Sequence, residues 1–268
     1  MKTASRHVEV SLHEHVAVLR LANAERRNVI DVATATAMQE AVERLGRDPC
    51  VRCLVIAGSD GVFASGADIR ELDAASSEEN LAYNRRLRAA VNAVAALPMP
   101  TIAALNGHAL GGGLELALAC LLRVASTEAK LGLPEVKLGL PEVKLGIIPA
   151  TGGLARLPIL VPRTVAAELA LTGELISGAE AKELGLVNHA VPPEEVMDRA
   201  LELAEKIAGV APLSARAIVE SLRRDGNLPI ADANLRVEDR LAALLASRDR
   251  REGARAFLEH REPEFEGL

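Results

Sequence analysis

The chain has 268 residues, 49% of them hydrophobic and 25% charged, enough to bury the core of one large domain with a helical appendage and no covalent staples. A formal net charge of −6 without a Lys/Arg block excludes a sequence-independent grip on nucleic acid. Phe63, Phe257, Phe265 and Tyr83 are the whole aromatic set, too few for a base-stacking platform. The odd set Cys50, Cys53 and Cys120 points to a reducing compartment. Cys50 and Cys53 have Cys-x-x-Cys spacing but no second ligand pair, so they read as small buried hydrophobes and no metal is expected. The N-terminus lacks an apolar signal core and no run approaches the ~18 apolar residues of a membrane span, so a soluble cytoplasmic protein with no membrane partner is expected.

In chain order, 8–12 and 16–21 read as a hairpin around His13-Glu14-His15. A helix is predicted over 31–47, with Asp31 as N-cap and Ala35, Met38, Val42 and Leu45 at helical spacing. A buried strand follows at 53–57, then a long amphipathic helix at 78–97 stopped by Pro98 and Pro100. Another buried strand, 101–105, leads into a glycine-rich turn and a helix over 112–122. This alternation of strand, turn and helix indicates α/β. Beyond Pro193 the pattern is helical only, at 194–208, 213–224, 231–247 and 250–260. Leu235, Leu241, Leu244 and Leu245 are too many for that small bundle to bury, so they should pack on the core or on another subunit.

Two turns carry chemistry. Gly111-Gly112-Gly113 follows a strand and opens a helix, whose first turn presents unpaired N–H groups and a partial positive end. Glu115 lies three residues after Gly112 on the same helix face. Alone, this pattern also fits an ordinary tight turn, and it lacks the Gly-x-Gly-x-x-Gly arrangement of dinucleotide sites. The segment from Phe63 to Ile69 is a second strand-to-helix turn that places the Ala67 N–H at another helix start. Two such donors from separate turns can form an oxyanion hole.

The tandem heptapeptide Leu-Gly-Leu-Pro-Glu-Val-Lys, written at 131–137 and again at 138–144, is anomalous. Two copies are too few for a solenoid, and a Gly and a Pro in each period exclude a coiled coil. It reads as a duplication absorbed in a surface excursion.

Together, Ser-Gly-Ala-Asp-Ile at 65–69, the segment from Asn106 to Ala117, Gly-Leu-Pro-Glu-Val-Lys, and Pro149-Ala-Thr-Gly-Gly resemble the crotonase family of enoyl-CoA hydratases and isomerases. So do Leu171-Thr-Gly, the stretch 179–187 and Arg251-Glu-Gly-x-x-Ala-Phe. The resemblance implies a crotonase-like (ClpP/crotonase) α/β spiral of ββα units over 1–192, and a C-terminal helical region over 193–268 that builds trimers or dimers of trimers. It implies an acyl-CoA thioester substrate, whose CoA is no separate cofactor, with Ala67 and Gly112 N–H as oxyanion donors. Arg26, Arg27, Ala64, Asp68, Ile69 and Gly111 fall along the implied substrate path, the two arginines near the nucleotide phosphates.

In hydratases of the family two glutamates flank a water, one at the Glu115 position and one in the later Pro-Glu. Syn addition needs a base and an acid, and two neighbouring carboxylates do not both ionise cheaply. Spacing forward from Glu115 selects Glu135; spacing back from Ala150 selects Glu142, which the unbroken run to Pro149 favours slightly. Seven is odd, so in a continuous strand the two copies would face opposite sides. The resemblance implies an enoyl-CoA hydratase. An enoyl-CoA isomerase, or a hydratase of branched or aromatic-pathway substrates, is the alternative within the class, and a CoA-binding scaffold disabled by the duplication is the alternative outside it.

Overall fold

The β-branched run that opens the chain forms an antiparallel edge. In the computed structural model, which describes residues 3, 4, 6–132, 134, 135, 140, 141 and 146–268, this edge is β1 (Thr3–Ala4), β2 (Val8–His13) and β3 (Val16–Leu21). Of residues 3, 4, 134, 135, 140 and 141 only the backbone is described. The turn is one residue tighter than the sequence suggests, because His13 pairs with Val16 and Glu14 takes the left-handed φ of 50°. Asp31 caps α1 (Val32–Arg47), accepting the Thr34 N–H.

Next come β4 (Cys53–Ala57), β5 (Val62–Ala64), α2 (Ile69–Ala74) and α3 (Ser77–Ala95). Ser76 and Glu79 make a reciprocal capping box that starts α3 one residue before the expected position. β6 (Thr101–Leu105), β7 (His108–Leu110), α4 (Gly112–Ala119), β8 (Leu122–Ser126) and β9 (Lys130–Gly132) follow. The helix expected to reach Leu122 therefore stops three residues earlier. Buried Arg123 is the reason: its guanidinium donates to the Cys120 (2.7 Å), Ala117 (3.3 Å) and Leu186 (2.6 Å) carbonyls, satisfying helix-end acceptors while Leu122 begins a strand.

The two repeat copies meet in β10 (Pro134–Glu135) and β11 (Leu140–Pro141), an antiparallel pair outside the larger sheets in which Pro134 faces its equivalent Pro141. The chain continues through α5 (Gly153–Leu160), α6 (Arg163–Thr172), β12 (Ile176–Ser177), α7 (Gly178–Glu183) and β13 (His189–Val191). It ends with α8 (Val196–Ala208), α9 (Pro212–Arg224), α10 (Ile230–Leu245) and α11 (Arg248–Glu259).

The larger sheet has the order β1-β2-β3-β4-β6-β8-β13 and is parallel from β3 onward; the smaller has the order β12-β9-β7-β5. Each turn of the chain thus gives one strand to each sheet: β4 then β5, β6 then β7, β8 then β9. Residues of the larger sheet alternate between two apolar layers, as the strand period dictates. Leu19, Leu54, Ile56 and Leu105 join the main core with Met38, Val42, Leu87, Val91 and Leu114. Val16, Val18, Cys53, Val55, Ile102 and Ala104 face Val196, Ala200, Ala204 and Ala208 of α8. By contrast, α10 has no buried residue, and Leu235, Leu241 and Leu245 are exposed rather than packed on the core. Among the described residues no helix is long and apolar enough to cross a membrane.

Candidate active site

Parallel pairing of β5 with β7, Ala64 opposite Ala109, brings the two strand-to-helix turns side by side. Their approach is close enough to require glycine. A Cβ on Gly66, whose φ is +94°, would lie 2.9 Å from the Leu110 carbonyl oxygen and 3.4 Å from the Gly112 nitrogen. A Cβ on Gly112 would lie 3.7 Å from the Ala67 nitrogen. The two predicted donors therefore share one small neighbourhood. Gly112 is the first residue of α4, where an N–H has no partner inside the helix.

Hydrogen bonds on either side fix the Ala67 peptide. Ile30 N–H donates to the Gly66 carbonyl (2.8 Å), Asp68 N–H donates to Tyr83 Oη (2.9 Å), and Tyr83 Oη donates to the Ile30 carbonyl (3.0 Å). Among the described residues the Ala67 N–H has no hydrogen-bond acceptor of its own. Nothing in the sequence pattern singled out Tyr83 for this position.

One helical turn beyond Gly112, Glu115 is buried, and its carboxylate is held by the start of α5. Oε1 accepts the N–H groups of Thr151 (3.0 Å) and Gly153 (2.6 Å), and Oε2 accepts the Thr151 hydroxyl. Arg156 backs this turn: Nη1 donates to the Thr151 carbonyl (3.2 Å) and Nη2 to Asn92 Oδ1 (2.7 Å). Burial lowers the Arg156 pKa, partly offset by the negative charge of Glu115. The signal for Thr151 and Gly153 was present in the sequence as a Gly-Gly pair heading a helix. Which carboxylate that N-terminus would hold was not.

A cleft of about 1000 Å³ opens beside Ala67, with Arg26, Arg27, Asp68, Ile69 and His108 in its walls. Asp68 caps α2, and Gly111 adopts φ 51° at the head of α4, donating its N–H to the Gly132 carbonyl (3.1 Å). Ala64 lies buried below, where a Cβ on Gly113 would come 2.4 Å from its carbonyl oxygen. The two arginines differ. The Arg26 guanidinium bonds to Asp31 (2.9 Å) and to Asp68, which ties it to the scaffold rather than leaving it free for a phosphate. Arg27 is exposed, with no side-chain partner among the described residues.

Of the two later glutamates, Glu135 has a described backbone in β10, paired with Leu140, and Glu142 lies outside the described residues. The reading of Cys50 and Cys53 as buried needs one correction: Cys53 is buried, as is Cys120, but Cys50 is exposed in the turn after α1. Its carbonyl accepts the His15 Nδ1–H at 2.9 Å, which holds that turn at the surface. No cluster of three metal-ligating side chains occurs among the described residues.

Residues 11–268 match the enoyl-CoA hydratase/isomerase family. The chain is 42% identical over 247 residues to the human enoyl-CoA hydratase domain-containing protein 2, mitochondrial, covering 90% of this chain and 82% of that protein. It is 35% identical over 267 residues to human methylglutaconyl-CoA hydratase, mitochondrial, covering 98% of this chain and 76% of that one. Among solved structures, an enoyl-CoA hydratase from Bacillus anthracis matches with a TM-score of 0.93 at 33% identity, over 98% of this chain and 100% of that one. One from Geobacillus kaustophilus gives 0.92 at 32% identity, over 100% and 99%.

Proposed function

The chain belongs to the enoyl-CoA hydratase/isomerase family and has the crotonase fold, and from that premise we propose that it hydrates 2-enoyl-CoA thioesters. The observation that carries this reading is the convergence of the Ala67 and Gly112 N–H groups one helical turn from buried Glu115. The thioester carbonyl oxygen takes both donors, which favour the enolate-like transition state over the neutral ground state. Glu115 takes a proton from water as its oxygen bonds to the β-carbon. A second carboxyl group, from Glu135 or Glu142, gives a proton to the α-carbon.

CoA is part of the substrate, and no cofactor enters this scheme. Arg27 meets its phosphates, while Arg26, through Asp31 and Asp68, steadies the cleft wall. We further propose that the protein is a homo-oligomer, a trimer or dimer of trimers built through 193–268, supported by the exposed apolar side chains of α10. Its free cysteines fit a reducing, cytoplasmic setting.

The test is the absorbance of the conjugated thioester with crotonyl-CoA as substrate. Loss of the band is expected. A gain of the band from a 3-enoyl-CoA, without loss from crotonyl-CoA, would assign the isomerase reaction instead. Tight acyl-CoA binding with neither change would mark a scaffold.

A further inference from the structure

The two oxygens of the Glu115 carboxylate are held by different kinds of donor. Oε1 faces two backbone N–H groups, from Thr151 and Gly153, and a backbone N–H only donates. Oε2 faces the hydroxyl of Thr151, a residue 3% exposed, and a hydroxyl both donates and accepts. A proton added at Oε1 would point at two fixed donors in a buried site. A proton added at Oε2 leaves Oε1 as a carbonyl-type acceptor for both N–H groups and meets a hydroxyl that can rotate to receive it.

We propose that Thr151 is a positioning residue that makes Oε2 the proton-carrying oxygen of Glu115, its hydroxyl turning from donor to acceptor as the carboxylate becomes the acid. As applied to catalysis, this rests on the hydratase reading. In that step an O–H bond of water breaks and its proton bonds to Oε2. The remaining hydroxyl bonds to the β-carbon, and the electron pair of the double bond passes to the α-carbon, which is protonated by the second carboxyl group. Arg156 and Asn92 keep the Thr151 backbone in place from the far side of the turn.

Two variants isolate the hydroxyl. Thr151→Val keeps the shape and removes it; Thr151→Ser keeps it and removes the methyl. With crotonyl-CoA, kcat in Thr151→Val is expected to fall about tenfold to a hundredfold with KM unchanged, and Thr151→Ser to recover most of the rate. Infrared spectroscopy reads the same bond without turnover. The antisymmetric carboxylate stretch of Glu115, assigned by its loss in Glu115→Gln, should shift in Thr151→Val and return in Thr151→Ser. If valine packs badly and the protein does not fold, Thr151→Ala replaces it with the same expected outcomes.

An unshifted band, or a valine or alanine variant with the wild-type kcat, overturns the assignment. A shifted band in an enzyme that hydrates no 2-enoyl-CoA overturns the hydratase reading while leaving the Thr151–Glu115 bond in place.

Discussion

At the residue scale, the proposed hydration depends on a carboxylate held by its surroundings and on donors held by glycine. Glu115→Gln keeps the side chain's size but removes its capacity as a base, so kcat for hydration should fall by about 10²- to 10⁴-fold in a crotonyl-CoA assay. Gly113→Ala acts indirectly. Its Cβ would press against the Ala64 carbonyl oxygen, pushing α4 away from β5 and carrying the Gly112 N–H with it. A displaced donor should lower kcat by about 10²- to 10³-fold, with overpacking costing about 1–3 kcal/mol in a denaturant titration. The cysteines separate by environment. Burial pushes the Cys53 and Cys120 thiols up to about 12, whereas Cys50 is exposed. Iodoacetamide at neutral pH should therefore label the native protein once, at Cys50, as peptide mass mapping would show. Cys-x-x-Cys spacing was legible in the sequence; that its two members lie on opposite sides of the surface was not.

At the scale of elements, caps and periodicity made α1 and α3 readable. Short segments such as β5, β7 and β9, three residues each, have too little periodicity to read. Asp31 shows how an element can be predicted correctly and its cap still have a second task. Burial opposes its charge, but the hydrogen bonds from Thr34 and the nearby Arg26 outweigh that and hold its pKa below the ordinary carboxylate value. A carboxyl group with a lowered folded-state pKa stabilises the fold above its unfolded pKa, and that contribution disappears as pH falls through the folded value. Asp31→Ala should cost about 0.5–2 kcal/mol at neutral pH through loss of the cap, more if Arg26 is left without its partner. The difference from wild type should shrink as denaturation is measured at progressively more acidic pH. A difference that stays constant through the acid range would refute this account.

At the scale of the whole molecule, α8 covers the far face of the larger sheet while α10 presents Leu235, Leu241 and Leu245 to solvent in the single chain. If these residues form the subunit contact, Leu235→Asp with Leu241→Asp should shift the protein to monomers in sedimentation velocity, with helix content preserved. An unchanged sedimentation coefficient would remove α10 from the contact. The sequence by itself determined the α/β class, the family, the main helices and both strand-to-helix turns, because periodicity, capping and glycine placement act over a few neighbours. Only the tertiary structure decided that Arg26 is bound to Asp31 and Asp68, that Tyr83 fixes the Ala67 peptide, and that Thr151 and Gly153 hold Glu115. Those contacts join residues 5 to 42 positions apart for Arg26 and 36 to 38 apart for Glu115. Their formation depends on how the strands pair and the helices pack, which local sequence preference does not encode.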